Sequence, residues 1–175
     1  MADKKWLKIV APLLILCVVA GIWVFKNNQD KTPSETQEGV EIQPLDMTEV
    51  DLEAWKAYGL PIMVDFGGEA CGPCQSMRPD LEKVHRDMQG KVTIRYVDVW
   101  ANPAGAGDIP IQVVPTQVFF NADGTPFEPS EELLQNMGFT LYSFRDTGEL
   151  AYTVHQGVLS EEDMLTIFRE MGVEA

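Results

Sequence analysis

The hydrophobic and polar positions divide the chain into three stretches. Residues 9–25 (IVAPLLILCVVAGIWVF) form an uninterrupted apolar run without a charged residue. Residues 26–40 are polar, include Pro33 and contain almost no apolar residue, which is typical of a flexible linker. From about residue 40, short apolar runs alternate with stretches of helical periodicity. The pattern predicts a hydrophobic helix within residues 1–26, a linker at 27–39 and one folded domain over 40–175.

The apolar run is long enough for a short transmembrane helix, because a helix rises ~1.5 Å per residue. Trp6 and Trp23 lie near its ends, where the aromatic residues of membrane interfaces concentrate. A cleaved signal peptide is the alternative. However, residues 21–25 continue the apolar run past Ala20, after which a cut would fall. We therefore expect an uncleaved signal anchor.

Lysines flank the apolar run, with a small excess on its N-terminal side. Lys4, Lys5 and Lys8 precede the run, and Lys26 and Lys31 follow it. This bias places the N-terminus in the cytoplasm. The expected location is a cell membrane, crossed once, with the folded domain outside the cytoplasm.

Strands and helices alternate within the folded region. The predicted strands lie at residues 40–44, 61–66, 92–99, 116–120 and 150–155, and the predicted helices at 48–58, from Cys71 to about Gly90, at 129–137 and at 160–171. The strand at 61–66 is mostly apolar, as expected of a strand buried on both faces. Ser160, with Asp163 three residues later, predicts the start of the last helix. The alternation predicts an α/β fold whose sheet is covered on both faces.

The charge balance excludes one large class of partners. The formal net charge is −14, and the chain contains 13 Lys and Arg residues against 27 acidic ones. Most of the acidic residues follow the apolar run, so the folded domain repels phosphate backbones and nucleic-acid binding is not expected. The same charge keeps the domain off an anionic lipid surface unless the N-terminal segment tethers it.

Cys71 and Cys74 stand where the strand at 61–66 gives way to a helix. The free N–H groups and the positive dipole end of a helix start stabilise a thiolate. In the usual geometry the first cysteine is exposed and the second lies one turn in. Cys71 is therefore predicted to attack a disulfide, and Cys74 to resolve the mixed disulfide. Pro73 suits the first helical turn, and Gly72 has no side chain to obstruct the approach to the cysteines.

A metal site and a purely structural disulfide are the alternatives for the cysteine pair. A metal needs two more ligands, but there is no second C-x-x-C, and His85 and His155 are at no ligand-like spacing. A structural disulfide that closes so short a loop gains little chain entropy. We predict a working dithiol, no metal and no cofactor beyond the Cys71–Cys74 disulfide, and we expect no catalytic duty for the two histidines.

Several motifs together resemble the thioredoxin family. The matching positions are Val64-Asp65-Phe66, Glu69, Cys71-Gly72-Pro73-Cys74 and Pro79, which resemble the active-site strand and helix, and Val114-Pro115-Thr116, which resembles the cis-proline loop. Gly157, before the last helix, also fits the pattern. The resemblance covers roughly residues 40–172, apart from an insertion.

The resemblance implies a thiol–disulfide oxidoreductase on a thioredoxin fold, which is a central mixed sheet flanked by helices. Asp65 would be the buried acid that takes the proton of Cys74 as that thiol attacks. Pro115 would be cis and would face the disulfide across a groove, where the loop backbone pairs with an extended substrate. The remaining residues predicted to form the active-site loop and groove are Gly72, Pro73, Val114, Thr116 and Gly157.

The sequence departs from the family pattern around the predicted site. Gly67 and Ala70 stand where the family usually has tryptophan, so the rim is expected to be smaller. Tyr96 stands where a lysine often approaches the buried acid, and we therefore expect a higher pKa for Asp65. Trp100 replaces an acid, and either restores an aromatic wall or has a packing role.

About 26 more residues separate Pro115 from Gly157 than in a minimal thioredoxin. Residues 120–124 and 144–148 both resemble the tip of the family's last hairpin, with the predicted helix at 129–137 between them. This insertion, at about residues 121–147 before the last strand, is expected to extend the sheet, cover its edge or dock a partner.

These features favour a membrane-tethered reductase of protein disulfides outside the cytoplasm, because Gly-Pro between the cysteines resembles the reducing family members. Such a reductase needs electrons from inside, and the expected source is a transmembrane thiol carrier of the cytochrome c biogenesis type. The alternatives are an oxidant or isomerase for secreted proteins and a non-catalytic anchored binding module.

Overall fold

The computed structural model describes residues 43–174 of the chain. The predicted transmembrane helix, the linker and the first residues of the predicted first strand lie outside this range. No helix within residues 43–174 is long and apolar enough to cross a membrane.

Six strands form a single mixed sheet. They are β1 (Asp46–Met47), β2 (Ile62–Gly67), β3 (Thr93–Asp98), β4 (Thr116–Phe120), β5 (Thr140–Ser143) and β6 (Leu150–Gln156). Their order across the sheet is β1-β3-β2-β4-β6-β5. The first three strands are parallel to one another, whereas β4, β6 and β5 are joined by antiparallel pairings.

Helices cover both faces of this sheet. They are α1 (Leu52–Lys56), α2 (Gly72–Asp87), α3 (Glu131–Met137) and α4 (Glu161–Glu170), with a 3₁₀ helix at Pro103–Ala106. Residues of α2, α3 and α4 share one apolar core with the sheet, and residues of α1 and the 3₁₀ helix share a second core on the opposite face. The predicted mixed sheet flanked by helices is confirmed.

β2 lies at the centre of the sheet and is buried on both faces, as its apolar sequence predicts. Met63 faces the core shared with α2, and Val64 and Phe66 face the core shared with α1. All three side chains are inaccessible to solvent. The strand therefore fixes the position of whatever follows its C-terminal end, which is the cysteine pair.

The start of the last helix is also confirmed. Ser160 caps α4: its Oγ accepts from the Asp163 N–H at 3.2 Å, and its own N–H donates to Asp163 Oδ2 at 2.9 Å. This reciprocal pair satisfies two helix-terminal donors. Gly172 follows the helix with a φ of +84°, a conformation that favours glycine.

The first strand and first helix differ from their predicted positions. The first strand described is β1 at Asp46–Met47; residues 43 and 44 of the predicted strand at 40–44 are not in a strand, and residues 40–42 lie outside the described range. Pro44 has no N–H for a ladder, and its carbonyl accepts from Arg95 Nη1 at 2.9 Å. The helix predicted at 48–58 is shorter, because the Asp51 carboxylate caps it by accepting from the Ala54 N–H at 3.0 Å.

The insertion extends the sheet. The predicted short helix is present as α3, and Gly138 ends it with a φ of +66°. β5 follows and pairs with the outer side of β6, so it becomes the edge of the sheet. Both predicted hairpin tips form turns, closed by Asn121 N–H to Thr125 O at 2.7 Å and by Phe144 N–H to Glu149 O at 2.9 Å. β5 was not predicted, because its side chains are mostly exposed and lack apolar alternation.

The insertion is integral to the core through one residue of α3. Leu133 is 5% exposed and belongs to the cluster under α2 and α4, whereas Leu141 of β5 is 45% exposed. We expect Leu133→Ala to lower the free energy of unfolding by about 2–4 kcal/mol, because it leaves a cavity. Leu141→Ala, the matched control, should change it by less than about 1 kcal/mol. Urea denaturation measures both, and equal effects would contradict a core role for α3.

Candidate active site

Cys71 and Cys74 form a disulfide at the junction between β2 and α2. Cys71 is the N-cap of α2, and its Sγ accepts a hydrogen bond from the Cys74 N–H at 3.1 Å. A β-carbon added at Gly72 would meet no atom within 4 Å, so the backbone is open there, as predicted. The Cys71 sulfur thus accepts from an N–H group that has no partner within the helix, and this environment stabilises a thiolate.

The exposure of the two cysteines does not distinguish them. Cys71 is 4% exposed and Cys74 is 6% exposed. The expectation of an exposed first cysteine is therefore wrong for this disulfide state, because the loop around residue 114 lies close to the Cys71 sulfur. The N-cap position of Cys71, rather than exposure, separates its chemistry from that of Cys74.

The loop before β4 faces the disulfide. The Val114–Pro115 peptide bond is cis, as predicted, and the Val114 carbonyl oxygen lies 3.7 Å from Cys71 Sγ. The Gly157 N–H donates to the Pro115 carbonyl at 2.9 Å, and Thr116 Oγ1 donates to the Val113 carbonyl at 2.7 Å. The structure therefore brings the predicted groove residues together beside the cysteine pair.

Asp65 lies on β2 and is 2% exposed. Burial raises the pKa of its carboxyl from 3.8 to about 7, and two contacts moderate this rise. Gln117 Nε2 donates to Asp65 Oδ1 at 2.8 Å, and the Arg78 guanidinium adds a favourable charge. The expectation of a raised pKa agrees with this environment, and the carboxyl is poised to gain or lose a proton near neutral pH.

Aromatic side chains from β3 and the turn after it fill the space beside the end of β2. A β-carbon at Gly67 would lie 2.6 Å from Tyr96 Cε2, and one at Gly68 would collide with the Trp100 indole. Trp100 remains 55% exposed. Tyr96 and Trp100 therefore fill the rim that was predicted to be small at Gly67. The exposed indole of Trp100 forms an aromatic wall there, which is one of the two roles predicted for it.

A groove beside the cis-proline loop carries several apolar side chains in a mixed polar and apolar lining. Its walls include Trp100, Ile111, Val113 and Val114. Val113 is 51% exposed, and the Val114 carbonyl is the group next to Cys71. An extended polypeptide lying in this groove would pass the disulfide.

Two buried polar residues near Asp65 were not predicted. Gln117 is inaccessible to solvent and His155 is 9% exposed, and the His155 Nδ1 lies 2.7 Å from Gln117 Oε1. The signal that could have revealed them is their placement: polar side chains at inward-facing positions of strands that are otherwise apolar. Among residues 43–174 no group of three or more His, Cys, Asp and Glu side chains is placed to hold a metal ion.

Comparisons with known proteins agree with this geometry. A family model described as Thioredoxin matches residues 56–136. The thioredoxins of Staphylococcus aureus strains Mu50 and N315 are 34% identical over 95 residues, which cover 51% of this chain and 89% of theirs.

Solved structures share the fold at lower identity. Chloroplastic thioredoxin z has a TM-score of 0.52 and 22% identity, over 75% of this chain and 96% of that one. Spinach chloroplast thioredoxin f (short form) has a TM-score of 0.53 and 18% identity, over 78% and 99%. Because the S. aureus relatives match over nearly their whole length, the chain belongs to the thioredoxin family, as a thiol–disulfide oxidoreductase whose redox group is its own Cys71–Cys74 disulfide.

Proposed function

We propose that this chain is a membrane-tethered reductase of protein disulfides that acts outside the cytoplasm. One observation carries the proposal: an uncharged apolar run at residues 9–25 precedes a thioredoxin domain whose cysteines flank Gly72-Pro73. The run has the length of a short membrane span, and the lysine excess before it favours a cytoplasmic N-terminus. The Gly-Pro pair resembles that of the reducing thioredoxins.

The first step uses the dithiol form of the protein. The Cys71 thiolate attacks one sulfur of a substrate disulfide, so a Cys71–substrate bond forms and the substrate S–S bond breaks. The second substrate sulfur leaves as a thiolate and takes a proton from solvent. The N-cap position of Cys71 supports its role as nucleophile, because the helix N–H groups stabilise the thiolate.

The second step resolves the mixed disulfide. Cys74 gives its proton to the Asp65 carboxylate and attacks Cys71 Sγ; the Cys71–Cys74 bond forms, the Cys71–substrate bond breaks, and the substrate sulfur that was bound to Cys71 leaves as a thiolate. The substrate has then gained two electrons, and the protein has lost them. The buried position of Asp65 and its pKa of about 7 support its role as the proton acceptor.

The substrate is a protein segment in extended conformation that lies in the groove of Val113 and Val114. Exposed Trp100 and Val113 supply apolar contacts, and the backbone near cis-Pro115 supplies hydrogen bonds. The disulfide returns to the dithiol by exchange with a transmembrane thiol carrier of the cytochrome c biogenesis type, whose own dithiol becomes a disulfide. The carrier belongs to the proposal because reducing electrons originate inside the cell.

The reduction potential tests the direction of electron flow. The full chain in detergent, equilibrated with glutathione buffers, should show a midpoint of about −270 mV, the value of thioredoxin. A midpoint above about −200 mV would contradict a reductase and favour an oxidant or isomerase. The Cys71→Ala, Cys74→Ala double variant should lose cellular activity, and full activity would select the binding-module alternative.

The topology is tested by labelling intact cells with a membrane-impermeant maleimide after brief reduction. Cys71 and Cys74 should be labelled without lysis, because they are expected outside the cytoplasm. The matched control is the Cys71→Ala, Cys74→Ala variant, in which Cys17 is the remaining cysteine. Labelling of the cysteine pair that requires lysis would overturn the proposed location.

Asp65 makes stability depend on pH. Between about pH 4 and pH 7 the unfolded chain releases this proton while the folded protein retains it, so stability falls as pH rises and levels off above pH 7. Asp65→Asn should therefore raise the free energy of unfolding at pH 8 by on the order of 2–4 kcal/mol, with little change at pH 4. Urea denaturation at both pH values measures this. Asp108→Asn, a substitution on the surface, is the matched control and should leave in place the fall in stability that Asp65 causes, and an equal effect of Asp65→Asn at both pH values would refute the assignment.

A further inference from the structure

A row of four polar side chains crosses the sheet beneath the start of α2. Tyr96, Asp65, Gln117 and His155 are direct partners in register on β3, β2, β4 and β6. Directly opposed residues of neighbouring strands point to the same face. This is the face that carries Met63 and Phe119 and is covered by α2. The row therefore links Asp65 to a histidine two strands away.

The hydrogen-bond partners fix the orientation of the Gln117 amide. Its Nε2 lies 2.8 Å from Asp65 Oδ1 and 3.2 Å from the Gly157 carbonyl oxygen; the carbonyl only accepts, and Asp65 Oδ1 accepts whenever the carboxyl is ionised. Its Oε1 therefore faces His155 Nδ1, at 2.7 Å. Because an amide oxygen only accepts, the proton must be on Nδ1 of His155.

Asp65 and Gly157 by themselves already disfavour the opposite orientation of the Gln117 amide. A rotated Gln117 would place its oxygen against the Asp65 carboxylate and the Gly157 carbonyl, and unpaired acceptors in contact are costly at a buried site. His155 adds a positive reason for the observed orientation, because it supplies the donor that the Gln117 oxygen requires. A phenylalanine, Phe139, packs edge-on against the imidazole with ring centroids 6.0 Å apart and limits its movement.

We propose that His155 is a positioning residue for Asp65: its Nδ1–H holds the Gln117 amide so that the amide N–H groups point to the Asp65 carboxylate and the Gly157 carbonyl. This inference rests on the proposed role of Asp65 as the acceptor of the Cys74 proton. The amide stabilises the carboxylate before the transfer, and the carboxyl product keeps the same hydrogen bond through its unprotonated oxygen.

Other charged groups around the row do not replace this contact. Arg78 of α2 lowers the pKa of Asp65 through its charge, and Tyr96 of β3 is kept neutral because burial raises its pKa to about 12. Cys71 and Cys74 flank the row from the start of α2. At the end of the row opposite Tyr96, burial lowers the pKa of His155, and the Asp163 carboxylate of α4 opposes this shift. A neutral His155 has one N–H group, and that group donates a hydrogen bond to Gln117 Oε1.

The test follows the Asp65 carboxyl directly, by ¹³C NMR titration of the reduced full chain in detergent. His155→Leu removes the donor and should move the Asp65 midpoint to higher pH by about one unit. His155→Asn, which places an amide N–H near the position of Nδ1, should restore the wild-type midpoint. His85→Leu is the matched control and should leave the midpoint unchanged. A midpoint unchanged in His155→Leu would overturn the positioning role.

A second variant separates the contact through Gln117 from a general effect of the substitution. Gln117→Met should also raise the Asp65 midpoint, and adding His155→Leu to it should cause no further rise, because the link is already broken. Additive shifts would show that His155 acts by another route. The ¹⁵N shifts of wild-type His155 need no substitution, and a bare Nδ1 in that spectrum would refute the proposal.

The kinetic readout distinguishes this inference from the proposed function. The rate at which Cys74 resolves a mixed disulfide should rise with pH as Asp65 ionises, and His155→Leu should move this rise to higher pH with a plateau within about twofold of wild type. If Asp65→Asn leaves the pH dependence intact, the proposed role of Asp65 fails. If Asp65→Asn removes it while His155→Leu leaves it in place, only the positioning role fails.

Discussion

The burial of β2 between two apolar cores is the constraint on which the rest of the structure depends. The strand has a core on each side, so its register and direction are fixed by packing rather than by the surface loops. Two consequences follow from this one element. Its C-terminal end positions Cys71 at the start of α2, and its inward-facing Asp65 is buried, where ionisation is costly.

The sequence predicts the parts of the site that depend on local chemistry. Cys71 is recognisable because a reactive thiolate needs a helix start, whereas the cis conformation of Pro115 was expected only from the family resemblance. Gln117 and His155 are distant in sequence and meet only through the pairing of β4 with β6. β5 was missed because an exposed edge strand leaves no apolar alternation. The low exposure of Cys71 was missed because it depends on a loop more than 40 residues away.

At the rim of the site, large side chains on one strand fill the space that small residues leave at the end of its neighbour. Glycines at the end of β2 leave space, and Tyr96 and Trp100 occupy it from the next strand and its turn. Gly67 and Ala70 considered alone predict a gap where the family has tryptophan, but Tyr96 and Trp100 fill the space beside Gly67 and Gly68. Single positions of such a rim are therefore poor guides to its shape, because the same aromatic surface can be built from either side.

The low exposure of both sulfurs limits which molecules exchange electrons with this protein. Attack on a disulfide requires a thiolate to approach one sulfur along the S–S axis, and a small thiolate in bulk solution finds little of either sulfur exposed. A polypeptide that seats itself in the groove can hold its sulfur there long enough to react. Low exposure thus slows exchange with low-molecular-weight thiols without changing the equilibrium that they reach with the pair, so docking in the groove governs which partners react quickly.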